Sequence, residues 1–154
     1  MYGWIIPDLI EAADRLFNKA DPVVQGKSTT PGDGSIRRKV LVVDDEHLVA
    51  DTISEILNEN GFEAAAAYSG EAAIALAGVL EPDILLTDVL MPNVNGVQLA
   101  ISLTQDRPLL QVILFSGQTG ISEIIQNARE AGYMFDLLPK PIHPEELLRK
   151  LQER

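Results

Sequence analysis

The spacing of apolar positions changes at about residue 38, and from there short apolar runs alternate with segments of three-to-four spacing. Short bounded runs are typical of buried strands, and the wider spacing predicts amphipathic helices. Strands are predicted at 40–43, 62–68, 84–87, 112–115 and 135–138, and helices at 46–60, 71–80, 97–105, 121–131 and 144–152. The strand at 62–68 rests on this context, because its four alanines have low strand propensity. Five strands alternating with five helices predict an α/β fold, a doubly wound parallel sheet with helices on both faces.

Two further segments are predicted before this alternation begins. Residues 7–20 predict an amphipathic helix whose apolar stripe consists of Leu9, Ile10, Ala13, Leu16 and Phe17. Residues 21–35 are rich in Pro, Gly, Ser and Thr without a period, which is typical of a flexible linker. We therefore expect an N-terminal helical extension over 1–20, a linker over 21–37 and one domain over 38–154. A lone helix of this length is marginal in water, so its stripe would pack on the domain, on a second copy as a homodimer, or on a partner.

Composition narrows the classes of function that this chain can serve. The formal net charge is −11, which repels phosphate backbones and predicts no direct nucleic-acid binding. There is no cysteine, so thiolate metal sites and thiol nucleophiles are excluded. No apolar run approaches the roughly 18 residues that a membrane span needs. We expect a soluble, cytoplasmic protein.

Chemically active side chains follow four of the predicted strands. Asp44 and Asp45 follow the first strand, Asp88 the third, Ser116 the fourth, and the fifth leads to Lys140. Taken alone, each residue has an ordinary reading as a helix cap, a turn residue or a surface charge. Ligands of open parallel sheets, however, bind beyond the carboxyl ends of the strands. The coincidence of five such residues at four strand ends favours a site.

The residue types at this rim predict metal-assisted phosphoryl transfer. Clustered carboxylates raise one another's pKa unless a cation compensates, and oxygen ligands without a neighbouring histidine or cysteine favour Mg²⁺. The ion would neutralise charge on a transferring phosphoryl group. Lys140 would place a positive charge on one phosphate oxygen, and Ser116 would donate a hydrogen bond to another. A carboxylate can itself attack phosphorus as a covalent nucleophile.

Four segments of the chain resemble the receiver domains of response regulators in two-component signalling. They are VLVVDDE at 40–46, LLTDVLMPNVNG at 85–96, ILFSG at 113–117 and LLPKPI at 137–142. The resemblance covers residues 38–154, and order, spacing and strand context agree, which makes it more specific than one short motif. It implies a flavodoxin-like sheet with strand order 2-1-3-4-5.

The resemblance also implies a role for each residue of the site. Asp88 would be the phosphoacceptor. The implied Mg²⁺ ligands are Asp45 and Asp88 directly, Asp44 through water, and the backbone carbonyl of Leu90. The implied phosphate contacts are Ser116 and Lys140, and the peptide bond from Lys140 to Pro141 is expected to be cis.

The function implied is that of a single-domain response regulator, because the chain ends at Arg154 with no room for an output domain. A sensor histidine kinase or histidine phosphotransfer protein would supply the phosphoryl group. A downstream protein would read the face built from the fourth helix, the fifth strand and the fifth helix. The chain would catalyse its own phosphorylation and dephosphorylation without being a metabolic enzyme.

One position departs from the family pattern. Leu137 stands three residues before Lys140, where the family usually carries Tyr or Phe. Together with the N-terminal helix, it motivates an alternative hypothesis, that of a receiver-like scaffold acting through that helix independently of phosphorylation.

Overall fold

A five-stranded parallel sheet with strand order β2-β1-β3-β4-β5 forms the centre of the fold, which confirms the predicted fold class and strand order. The computed structural model describes residues 36–117 and 122–152. The strands are β1 (Lys39–Val43), β2 (Glu63–Ala67), β3 (Ile84–Asp88), β4 (Gln111–Ser116) and β5 (Asp136–Pro139), and the helices are α1 (His47–Asn58), α2 (Gly70–Leu80), α3 (Gly96–Asp106), α4 (Ser122–Glu130) and α5 (Pro144–Gln152). The predicted N-terminal helix and residues 21–35 of the predicted linker lie outside the described residues.

Side chains of the central strands alternate between two apolar cores, one on each face of the sheet. In β1, Leu41 and Val43 pack on the face covered by α2, α3 and α4, whereas Val40 and Val42 pack on the face covered by α1 and α5. All four side chains are fully buried. A strand buried on both faces reads as a continuous apolar run because successive side chains point to opposite faces.

The alanine-rich segment forms a strand, as its context predicted. β2 pairs in parallel with β1, and Leu41 lies opposite Ala65 in the register. Its alanines contribute to both cores, with Ala64 on the α1 side and Ala65 on the α2 side. Burial and pairing at this edge therefore outweigh the low intrinsic strand propensity of alanine.

Side-chain hydrogen bonds fix the ends of several helices. The hydroxyl of Ser69 accepts a hydrogen bond from Ala72 N at the start of α2, and Asn95 and Gln98 form a reciprocal capping box at the start of α3. α1 ends at Asn58, earlier than predicted, because the Asn58 amide pairs with both the N–H and the carbonyl of Ala64 in β2. These bonds set the lengths of the loops between strands and helices.

The five helices of the described ranges are 9 to 12 residues long. None of those within 36–117 and 122–152 is both long enough and apolar enough to span a bilayer.

Candidate functional site

Three aspartates meet at the carboxyl edge of β1 and β3. Asp88 is the last residue of β3, and Asp44 and Asp45 directly follow β1. Because Val43 pairs with Thr87, the two strands end at the same level of the sheet. One oxygen from each carboxylate lies within 4.8 Å of the others. The sequence prediction that these three residues converge is confirmed in position.

The ammonium group of Lys140 reaches this cluster from the end of β5. Its Nζ lies 3.1 Å from Asp44 Oδ2 and 3.6 Å from Asp88 Oδ2. The Lys140 backbone N–H donates a hydrogen bond to the carbonyl of Ser116 at 3.2 Å, and the peptide bond to Pro141 is cis, as expected. One cation is thus held between two buried carboxylates.

Ser116 and Leu90 lie around the same rim. Ser116 ends β4, is buried, and lies opposite Pro139 in the register, so it stands between the strands that carry Asp88 and Lys140. Leu90 lies two residues beyond Asp88 in the loop before α3, with its side chain 40% exposed. Ser116 therefore lies at the end of the strand next to β3, and Leu90 lies in the loop that directly follows Asp88.

The loop after β3 folds back tightly over Asp88. The N–H of Gly96 donates to the carbonyl of Val89 at 2.7 Å, and the N–H of Val89 donates to the carbonyl of Phe115 at 3.1 Å. A Cβ atom on Gly96 would collide with the backbone carbonyl oxygen of Asp88. Glycine is therefore required here by close approach of two backbone segments.

Burial and the charges of neighbouring groups shift the pKa values of Asp44, Asp88 and Lys140. Burial first, and then the charge of Asp44, raise the pKa of Asp88 from 3.8 to about 6, against the opposing effect of Lys140. Burial also raises the pKa of Asp44, opposed by its hydrogen bonds from Glu46 N–H and Lys140. Burial lowers the pKa of Lys140, but the hydrogen bond and charge of Asp44, with the charges of Asp88 and Glu46, outweigh it and leave that pKa raised. The cluster retains excess negative charge despite its lysine.

This donor set fits Mg²⁺. The three carboxylates offer hard oxygen ligands and would fill only part of an octahedron, which would leave the other positions to water and phosphate oxygens, as Mg²⁺ prefers. The imidazole of His47, which is close to the end of β1 in sequence, stacks on the ring of Tyr68 with ring centroids 4.0 Å apart. A divalent cation would also relieve the repulsion that raises the pKa of Asp88.

The structure adds two residues that the sequence prediction left out. Glu46 Oε1 lies 3.8 Å from Lys140 Nζ, and the Phe115 ring centroid lies 5.2 Å from the same nitrogen. Glu46 continues the acidic run after β1, which is a signal that sequence reasoning could have used. Phe115 carries no such signal, because an apolar residue near the end of a buried strand is expected in any core.

The helix-cap reading of the paired aspartates is wrong, because Glu46 is the N-cap residue of α1 and no side chain caps the first turn. Asp44 Oδ1 accepts a hydrogen bond from Glu46 N–H at 2.9 Å, which fixes the turn between β1 and α1. Its other oxygen, Oδ2, accepts from Lys140 Nζ. A single carboxylate thus orders the turn and faces the cluster.

Comparison with known proteins agrees with this fold. Residues 40–152 match the family model described as the response regulator receiver domain. The transcriptional regulatory protein PdtaR of Mycobacterium tuberculosis is 32% identical over 127 residues, which cover 80% of this chain and 60% of PdtaR. The DNA-binding response regulator MtrA of Mycolicibacterium smegmatis is 26% identical over 120 residues, covering 78% and 51%. The chain thus spans about half to three-fifths of the length of these curated relatives.

A solved structure shows the same architecture. The chemotaxis protein CheY4 of Vibrio cholerae superposes with a TM-score of 0.68 at 28% sequence identity, covering 76% of this chain and 98% of CheY4. The matched residues 40–152 include every acid of the cluster and Lys140. This chain therefore belongs to the family of response regulator receiver domains.

Proposed function

We propose that this chain is a single-domain response regulator that accepts a phosphoryl group on Asp88 from a histidine kinase or histidine phosphotransfer protein, with Mg²⁺. Receiver domains as a family are phosphorylated signalling modules that bind Mg²⁺ at an acidic pocket. The observation that carries the proposal is the convergence of three carboxylates and Lys140 around the buried Asp88. Within the described ranges, this cluster favours phosphoryl transfer over a scaffold that works independently of phosphorylation.

The reaction assigned to Asp88 is an in-line displacement at phosphorus. An ionised Asp88 oxygen forms a bond to phosphorus while the bond to the donor nitrogen breaks, and the nitrogen leaves with the electron pair. Lys140, 3.6 Å from Asp88 Oδ2, offsets negative charge on a phosphoryl oxygen, and the Ser116 hydroxyl donates a hydrogen bond to another. Bound Mg²⁺ supplies neutralising charge for the same oxygens.

The proposed ligand set assigns Asp45 and Asp88 to direct contact with the ion, Asp44 to a water-mediated contact and the Leu90 carbonyl to a further position. The hydrogen bonds of Asp44 support its indirect role, because its two oxygens already accept from Glu46 N–H and Lys140 Nζ. Asp45 is exposed and can turn toward an entering ion. The oxygens of Asp45 can therefore reach an ion directly, whereas both oxygens of Asp44 already accept hydrogen bonds.

The proposed signal leaves through α4, β5 and α5. Ser116 and Lys140 are tied by a backbone hydrogen bond, so their movement toward a phosphoryl group would be transmitted along β5. Leu137 in β5 is 46% exposed, while Tyr133 and Phe135 pack against the core with ring centroids 5.8 Å apart. We assign the readout to backbone movement at Ser116 and β5, because Leu137 offers no aromatic ring to rotate.

Incubation with acetyl phosphate and Mg²⁺ tests the proposal. Intact-mass analysis should show one phosphoryl adduct on the wild type and none on Asp88→Asn. Asp106→Asn removes an exposed acid at the end of α3 and should leave the adduct unchanged. An equal adduct on Asp88→Asn, or none on the wild type, would contradict the assignment. A phosphotransfer profile against purified kinases would then identify the natural donor.

A further inference from the structure

An open apolar groove of about 540 Å³ runs between α1 and the segment that leads into α5. Its apolar lining includes Leu48, Val49, Ile53, Ile56, Ile142 and Leu147. Leu48, in the first turn of α1, is 78% exposed. An exposed apolar groove of this kind marks an interaction surface.

We propose that residues 7–20 of the same chain dock in this groove. The stripe formed by Leu9, Ile10, Ala13, Leu16 and Phe17 has the spacing of three and four with which an amphipathic helix fills an apolar groove. A lone helix of this length is marginal in water, so the segment needs a surface on which its apolar stripe can pack. Docking buries both apolar surfaces together.

The start of the domain lies next to the helix that forms one wall of the groove. Arg38 Nη1 donates a hydrogen bond to the carbonyl of Leu151 at 2.8 Å, which holds the beginning of the described chain against the last turn of α5. Leu147, which lines the groove, lies about one turn before Leu151 on the same helix. From Leu151 to Pro144, at the far end of α5, the distance along the helix axis is about 11 Å.

The length of the intervening chain suits this placement. Residues 21–35 are fifteen residues of linker-like sequence, and a flexible chain of that length has a root-mean-square end-to-end distance of about 21 Å. A short flexible tether that can reach the groove gives an effective concentration on the order of millimolar. The groove is therefore more accessible to the chain's own segment than to a second copy at micromolar concentration. Lys140 lines the groove as well as the acidic cluster, so the docked segment borders the site at Asp88.

Paramagnetic relaxation in the full-length protein tests the docking directly. The chain has no cysteine, so Lys19→Cys provides a single attachment point for a nitroxide on the polar side of the segment. In ¹⁵N-labelled protein, the amide signals of Thr52, Ile56 and Leu147 should lose intensity, and reduction of the nitroxide should restore it. Signals of α3, on the opposite face of the sheet, should keep their intensity.

Two matched substitutions decide whether the groove itself is responsible. Leu48→Glu should abolish the broadening, whereas Leu109→Glu, at a leucine that is 93% exposed and outside the groove, should leave it intact. Because both side chains are exposed, both variants should keep the remaining spectrum of the folded domain.

Three outcomes would overturn the proposal. They are no broadening at α1 and α5, broadening that survives Leu48→Glu, and broadening of comparable strength when spin-labelled protein of natural isotope abundance is mixed with ¹⁵N-labelled protein lacking the nitroxide. The last result would assign the groove to the segment of a second copy. The measurement requires no phosphorylation, so its result is independent of the function proposed for Asp88.

Discussion

Replacing Asp88 with asparagine should stabilise the metal-free protein, even though it removes the residue assigned to the chemistry. The carboxylate is buried, and its pKa is raised from 3.8 to about 6. A raised carboxyl pKa means that the folded state disfavours the charged form, which destabilises the protein wherever the carboxyl is ionised. Asparagine keeps the shape of the side chain without that charge.

The magnitude follows from the pKa difference. At pH 7.5 the shift from 3.8 to about 6 corresponds to a gain for Asp88→Asn of about 3 kcal/mol in the free energy of unfolding. The gain should shrink as the pH falls through 6, because the folded wild type then takes up a proton and escapes the cost. At pH 5 about half of this gain should remain.

Urea denaturation in EDTA at pH 7.5 and pH 5 measures both values. Asp106→Asn, at an exposed position, serves as the control for a change of one charge and should stay within about 0.5 kcal/mol of the wild type. Added Mg²⁺ should stabilise the wild type by mass action and Asp88→Asn much less. A destabilised Asp88→Asn at pH 7.5, or a gain that does not depend on pH, would refute the electrostatic account of the cluster.

Three further perturbations test the geometry around the acids. Gly96→Ala should destabilise the domain by about 1–3 kcal/mol in urea denaturation, because the added Cβ collides with the Asp88 carbonyl, and it should also slow labelling by acetyl phosphate. In the control Gly78→Ala the added Cβ meets open space, so neither change is expected. Mg²⁺ affinity by calorimetry should fall about tenfold per pH unit below about pH 6, where the ion must displace a proton from Asp88; a flat profile down to pH 5 would contradict this. Lys140→Gln should raise the pKa of Asp88 further, since the ammonium 3.6 Å away lowers it, and an unchanged carboxyl titration by ¹³C NMR would be inconsistent with that contact.

Much of the site was predictable because parallel strands bring their carboxyl ends to one edge. Asp44, Asp45 and Asp88 needed only correct strand assignments to be placed together, and those assignments follow from short apolar runs separated by helical spacing. β2 was harder, because its alanines favour no strand by themselves and only pairing with β1 determines its structure.

Features that depend on exposure could not be predicted from periodicity. Leu48 and Leu57 are nine residues apart in α1, which at 3.6 residues per turn places them on opposite sides of the helix, and Leu57 is fully buried whereas Leu48 is 78% exposed. The buried side of α1 carries Ala50, Ile53 and Leu57, which belong to the core between the helix and the sheet, whereas Leu48 lines the open groove. Apolar spacing shows that a helix is amphipathic but not which of its apolar residues another element covers.

The contacts of Lys140 were predictable only in outline. A lysine after the fifth strand was expected to face phosphate, and in the structure its ammonium lies between Asp44 and Asp88 and near the ring of Phe115. These distances depend on the loop after β5 and on its backbone hydrogen bond to Ser116. The raised pKa of Asp88 likewise depends on burial, which no local sequence pattern reports.

Chemical trapping of the phosphorylated residue tests the central claim most directly. Acyl phosphates are reduced by borohydride, so a phosphorylated aspartate becomes homoserine at its own position in the chain. After incubation with acetyl phosphate and Mg²⁺, peptide mapping by tandem mass spectrometry should find homoserine at position 88 and aspartate at positions 44 and 45. Homoserine at 44 or 45 with an unmodified Asp88 would contradict the account.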